Sequence, residues 1–129
     1  MANMTPKPRP KNLDLRTIRL PLPGIVSILH RISGALLFLL GIPFLLAGLQ
    51  RSLHSPEGYA AVGALFSHPV VKLVLLGFIW AFLHHFCAGI RFLLLDIHKG
   101  VKIGPARTSS LWVMVVSLLL TLAAGVALW

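Results

Sequence analysis

Three stretches of this chain, residues 32–49, 73–90 and 108–129, run without a single Asp, Glu, Lys or Arg. A hydrocarbon core of roughly 30 Å needs about 20 consecutive helical residues, and lipid tolerates only backbone that satisfies its own hydrogen bonds. Extended through their polar flanks, the stretches predict three spanning helices, at about 24–50, 69–96 and 107–129. The expected fold is all-α, a single integral membrane domain over 1–129. Ahead of it, Pro6, Pro8, Pro10, Pro21 and Pro23 predict an extended arm over 1–23. The first span is too long for the apolar region of a signal peptide and is expected to stay in the mature protein. Between the first two spans, Pro56 and Glu57 suit a helix start, and the apolar run 59–66 suits a short interfacial helix.

Small residues recur at helical spacing. Ser27, Gly34, Gly41 and Gly48 repeat every seven positions, and Ser117, Thr121 and Gly125 every four. In lipid such faces permit close backbone approach, so both helices are expected to have packing partners. Pro43 predicts a kink in the first span. In the second span Gly77, Ala81, His85 and Gly89 form one gently rotating stripe, with an imidazole flanked by small residues and room for a large flat ligand. His84 shares a more crowded face with Trp80, Ala88 and Arg91.

Charge adds orientation. Twelve Lys and Arg stand against three acids, a formal +9 in a chain that is 57% hydrophobic. Lys7, Arg9, Lys11, Arg16 and Arg19 precede the first span, and Lys99, Lys102 and Arg107 separate the second from the third, against Arg51 and Lys72 on the other side. The positive-inside rule places the N-terminus and second loop in the cytoplasm. The basic residues are not gathered on a soluble face with exposed aromatics, so nucleic acid is not the expected partner. The lone Cys87 leaves no disulfide to form.

Ionisable side chains at membrane depth are expensive and mark sites of use. His85 in its stripe meets the needs of an axial haem ligand, a neutral nitrogen donor with space beside the helix. A histidine hydrogen-bonded to a neighbouring helix is the plain alternative. Ser27, His30 and Arg31 fall at i, i+3 and i+4 and so share a face. Arg91 and Asp96 lie at a similar level on the second span, and the two arginines suit anionic haem propionates. The alternative for them is snorkelling to headgroups. A quinone headgroup also suits the cluster, with Ser27 and Arg31 as donors to its carbonyls and Asp96 or His30 as proton relays. His30 is a poor second ligand beside His85, since the expected helix ends put them at depths differing by about 7 Å. The chain therefore needs a partner histidine.

Ordered matches along nearly the whole chain carry a resemblance: Arg9-Pro10-Lys11-Asn12-Leu13-Asp14-Leu15, Ser27-Ile28-Leu29-His30-Arg31-Ile32-Ser33-Gly34, Ser55-Pro56-Glu57-Gly58, and His85-x3-Gly89-Ile90-Arg91-x4-Asp96. With these the chain resembles the cytochrome b subunits of bacterial succinate dehydrogenase, the three-helix anchors of complex II in the inner membrane. The resemblance implies a helical bundle completed by a second anchor subunit, with flavoprotein and iron–sulfur subunits docked on the cytoplasmic face. It implies that His85 ligates haem b opposite a histidine of the second anchor, that His30 lies near the propionates, that Ser27 and Arg31 line the ubiquinone site, and that Asp96 joins the proton route. Two positions depart from the family pattern. Phe92 stands where members often carry a histidine, leaving the propionates to His30, Arg31 and Arg91, and His84 adds a second imidazole beside the ligand. No flavin motif or cysteine cluster is present, so succinate oxidation belongs to other subunits. The rival readings are the anchor of a fumarate reductase or other quinone-linked oxidoreductase, and a membrane adaptor without redox chemistry.

Overall fold

Pro21 and Pro23 set where the first helix begins. Pro21 is its extended N-cap and Pro23 falls in the first turn, where a missing N–H removes no helical hydrogen bond. The computed structural model describes residues 18–129. The expected arm lies outside the described residues as far as position 17. The first span then runs continuously over Leu22–His54. At 33 residues, against the roughly 20 a bilayer core requires, it extends beyond the hydrocarbon.

Its expected kink takes the form of a π-helical turn. Leu37–Gly41 is π-helical, closed by the Ile42 N–H bonding to the Leu37 carbonyl, five residues back. The cause is Pro43, whose ring would collide with the carbonyl four residues earlier in a regular helix, that of Leu39. Widening the turn around Leu39 lets the chain pass the proline without breaking.

Ser55 ends this helix and caps the next, the connecting helix Pro56–Ser67. Its hydroxyl accepts the Gly58 N–H at 3.0 Å, Pro56 occupies the first position, and Glu57 sets a negative charge in the first turn. A Cβ at Gly58 would run into the Arg51 carbonyl, so the tight return requires glycine here. The connecting helix folds back on the end of the first span, with Gly48 against Phe66 and Phe44 tilted on the same ring.

His68 and Pro69 start the second span, Pro69–Asp96, which ends in a Schellman cap. The Lys99 N–H bonds to the Leu94 carbonyl and the His98 N–H to that of Leu95, both at 2.9 Å. His98, with φ 61°, occupies the left-handed position that usually takes glycine. The third span, Ile103–Leu128, is tied to the second at its far end: Lys72 Nζ donates to the Leu128 carbonyl at 2.8 Å and lies over the Trp129 ring.

The second span is central, packing on both others. Its buried face is Ala81, His84, Ala88 and Arg91; the third span presents Ser110, Val113, Ser117 and Thr121, and the first Val26 and Ser33. The interior is therefore small and polar, while Phe38, Phe82, Leu93 and many other large apolar residues face outward. In lipid this is the favourable arrangement, because small residues let helices approach and large ones lose nothing by facing hydrocarbon. The buried hydroxyls are satisfied within their own helix: Ser110 bonds to the Ala106 carbonyl at 2.8 Å, Ser117 to Met114 at 3.1 Å and Thr121 to Ser117 at 2.7 Å.

Candidate functional site

His85 is held from the first span. Its Nδ1 lies 3.0 Å from the His30 carbonyl oxygen and 3.3 Å from Ser33 Oγ. A carbonyl only accepts, so Nδ1 carries the proton and Nε2 keeps its lone pair. Ser33, 3% exposed, gives its own proton to the same His30 carbonyl at 3.0 Å, leaving its oxygen free to accept from Nδ1. The ring also lies against Gly34: a Cβ there would stand 2.7 Å from His85 Cε1 and 3.1 Å from Nδ1. Carbonyl, hydroxyl and glycine together fix tautomer and orientation, as a metal-binding imidazole requires.

The half-buried His85 borders a cavity of about 790 Å³ and is the one polar side chain lining it among the described residues. Leu37, Phe38, Gly41, Phe44, Phe78 and Phe82 are among the other walls, and the size falls within the range of cofactor pockets. The π turn contributes Leu37, Phe38 and Gly41, so the kink shapes this wall. The expected stripe on the second span divides here. Gly77 and Ala81 line a smaller space with Leu29 and Ser33, and the small residues beside His85 come from Gly34 and Gly41 of the first span.

His30 stacks face to face on His85, ring centroids 4.1 Å apart and planes within 8°. The expected depth mismatch thus does not arise. Counted from the observed helix ends, Leu22 and Asp96, the two lie eight and eleven residues in, a difference of roughly 4.5 Å that side chains can span. His30 nevertheless would not join His85 in holding a haem between them, because the stacked rings leave no space for one. Phe92 packs tilted on His30 at 5.0 Å, supporting the ring where a histidine would have offered a hydrogen bond.

His84 points elsewhere. It is 0% exposed, tilted against Trp80 at 5.3 Å and close to the Val26 backbone, with neither nitrogen in a well-formed hydrogen bond. Enclosed between the packed helices, it has no access to the cavity that His85 lines.

The remaining predicted residues do not converge on one point. Ser27 is half-buried, Arg31 is exposed one residue beyond His30, and Asp96 is exposed at the end of the second span. Ser27 lies about one turn nearer the start of the first span than His30, and Asp96 about 6 Å beyond Phe92, the residue on which His30 packs. Arg91 leaves the group altogether. It is 6% exposed, donates from Nε to Ser109 Oγ at 3.0 Å and from Nη2 to the Ala106 carbonyl at 3.3 Å, and borders a different cavity beside the third span.

Ser33, which sequence reasoning left without a role, and Gly34, which it placed only in a packing stripe, are the positions that hold the His85 ring. The available signal was modest: Ser33 stands three residues after His30, on the same helical face.

Residues 5–124 match the family described as the succinate dehydrogenase/fumarate reductase transmembrane subunit. The succinate dehydrogenase cytochrome b556 subunit of Coxiella burnetii is 38% identical over 122 residues, 94% of this chain and 97% of that protein. The protein of the same name from Paracoccus denitrificans is 34% identical over 110 residues, covering 85% and 84%. The succinate dehydrogenase 2 membrane subunit of Mycobacterium tuberculosis is 40% identical over 108 residues, covering 81% and 76%.

Proposed function

Because the chain belongs to the succinate dehydrogenase/fumarate reductase transmembrane subunit family, we propose that it is the membrane-anchor cytochrome b subunit of a succinate:ubiquinone oxidoreductase, sharing haem b with a second anchor subunit and forming part of the quinone-reduction site. One observation carries this reading: His85 is fixed by the His30 carbonyl and Ser33 so that its Nε2 lone pair is free, on the wall of an otherwise apolar cavity. The donor set fits haem b, with His85 as iron ligand and His30 and Arg31 as partners for the propionates. Bound there, haem supplies a one-electron carrier within the membrane. His30 stacks on His85 and leaves no space between the two rings, so a second histidine for haem would come from the second anchor.

Ubiquinone is the substrate. Its reduction takes up two electrons, delivered from succinate through the flavoprotein and iron–sulfur subunits, and two protons, giving the quinol. Ser27 and Arg31 donate hydrogen bonds to the carbonyl oxygens, which stabilises the negative charge that develops as electrons arrive. Asp96, exposed at the helix end nearest this level, takes protons from the water phase. In the reading supported by the charge distribution, that phase is the cytoplasm, with the N-terminus on the same side of the inner membrane.

Turnover of the purified complex with two acceptors tests the proposal. Ser27→Ala and Arg31→Ala lower succinate:ubiquinone activity by roughly 10–100-fold, the effect of losing a hydrogen bond to a charged transition state, while succinate oxidation by a soluble dye persists. Unchanged succinate:ubiquinone turnover in both variants would remove these residues from the quinone site, and equal loss of both activities would mark a failure of assembly. Comparing succinate:quinone with quinol:fumarate turnover fixes the physiological direction.

A further inference from the structure

Among the described residues Arg91 is a buried guanidinium with two hydrogen-bond partners, Ser109 and the Ala106 carbonyl, both neutral. A cation inside a membrane protein is normally matched by an anion or by several polar groups, because its desolvation is expensive. The unmatched charge opens on a cavity of about 510 Å³ between the second and third spans, which shares no lining residue with the His85 cavity.

The lining is graded along the membrane normal. At the helix end lie Lys99, Gly100 and Pro105, with Arg91 one to two turns deeper. Beyond them the walls become apolar, with Ile90, Val113 and Val116, and the exposed Trp112 stands at the side. Among the described residues, no acidic side chain lines the groove. Cations at one end, a tryptophan at the flank and an apolar trough beyond form the complement of an amphiphile with an anionic head.

We infer that this groove binds an anionic phospholipid, its phosphate between Arg91 and Lys99 and its acyl chain against Ile90, Val113 and Val116. A free anion would match the two cations and leave the trough unfilled; a zwitterionic lipid would fill the trough and bring its own cation toward Lys99. The charge complementarity therefore selects the anionic lipid. Arg91 is thereby assigned a ligand separate from haem, and the inference stands whether or not His85 holds haem.

The test uses the whole complex, delipidated in detergent and returned to bilayers of phosphatidylcholine alone or with phosphatidylglycerol. Spin-labelled phosphatidylglycerol and phosphatidylcholine report the fraction of lipid immobilised on the protein. The wild-type complex immobilises phosphatidylglycerol preferentially, and Lys99→Gln lowers that preference by about fivefold, the worth of one cation near an anionic headgroup. Val116→Trp, which fills the trough without altering charge, lowers immobilisation of the labelled phosphatidylglycerol as well. Arg91→Gln also unties the second span from the third, so the exposed Lys99 carries the charge test. The inference is overturned by equal immobilisation of the two lipids in wild type, by a preference that survives both Lys99→Gln and Val116→Trp, or by displacement of the lipid by inorganic phosphate alone. A structure of the complex with a partner carboxylate seated on Arg91 would overturn it too.

Discussion

A methyl group at position 34 would press on the imidazole the account depends on. Gly34→Ala puts a Cβ at 2.7 Å from His85 Cε1, so the ring must turn away from the His30 carbonyl or the helices must part. The expected outcome is haem loss or a displaced absorption maximum in a chain that still reaches the membrane, checked by the haem-to-protein ratio of the purified complex. Ser33→Ala is milder. It removes one of two acceptors for Nδ1–H, makes the ligand less electron-rich, and raises the haem potential by an amount on the order of tens of millivolts, measurable by redox titration. Ser33→Thr retains the hydroxyl and should leave the potential near its original value. At this scale the sequence was informative about what His85 is and silent about what holds it. An imidazole between small residues stands out along one helix, whereas its carbonyl, hydroxyl and glycine partners belong to another helix. Which residue of that helix meets it depends on packing. For the same reason the adjacent His84 could not be separated from His85 until the packing showed one enclosed and the other on a cavity wall.

Helix starts were legible because their chemistry is local. Pro56 and Glu57 predict the start of the connecting helix and take their expected places, first-position proline and first-turn acid, while the structure adds Ser55 as the cap and a glycine demanded by the Arg51 carbonyl. Ser55→Ala should cost about 1 kcal/mol of local helix stability. Glu57 lends this start a pH dependence. Its own backbone N–H and the Ser55 hydroxyl hold the carboxyl below its ordinary value. The stabilisation is present above the unfolded-state pKa and is lost as pH falls through the lower folded-state value. Amide exchange at Gly58 and Tyr59 should therefore gain an extra acceleration at acid pH in wild type, absent in Glu57→Gln. The π turn was less legible. Pro43 announces a disturbance, but whether the helix kinks, breaks or widens depends on how the turn before it packs, and here Gly41 lies against Phe78.

At the scale of the molecule, hydrophobicity located three spanning helices because their length and composition are set by the bilayer rather than by neighbours. The observed spans start at Leu22, Pro69 and Ile103. Which faces turn inward was not legible from apolar periodicity, since a membrane bundle buries small and polar residues and exposes large ones. The outward Phe38 and Phe82, 70% and 57% exposed, sit at the His85 cavity, and on the proposed function they would meet a second anchor chain. On the proposed function the chain supplies one of two haem ligands, so the isolated subunit should give a different electron paramagnetic resonance signal of the oxidised iron from that of the whole complex.

The central claim is that His85, and not its neighbour, ligates haem b. It is tested most directly by the reduced-minus-oxidised spectrum of the purified complex in wild type, His85→Ala and His84→Ala. The account predicts a b-type signal in wild type that is lost in His85→Ala and retained in His84→Ala. Loss only in His84→Ala, or no b-type signal in wild type, would contradict it.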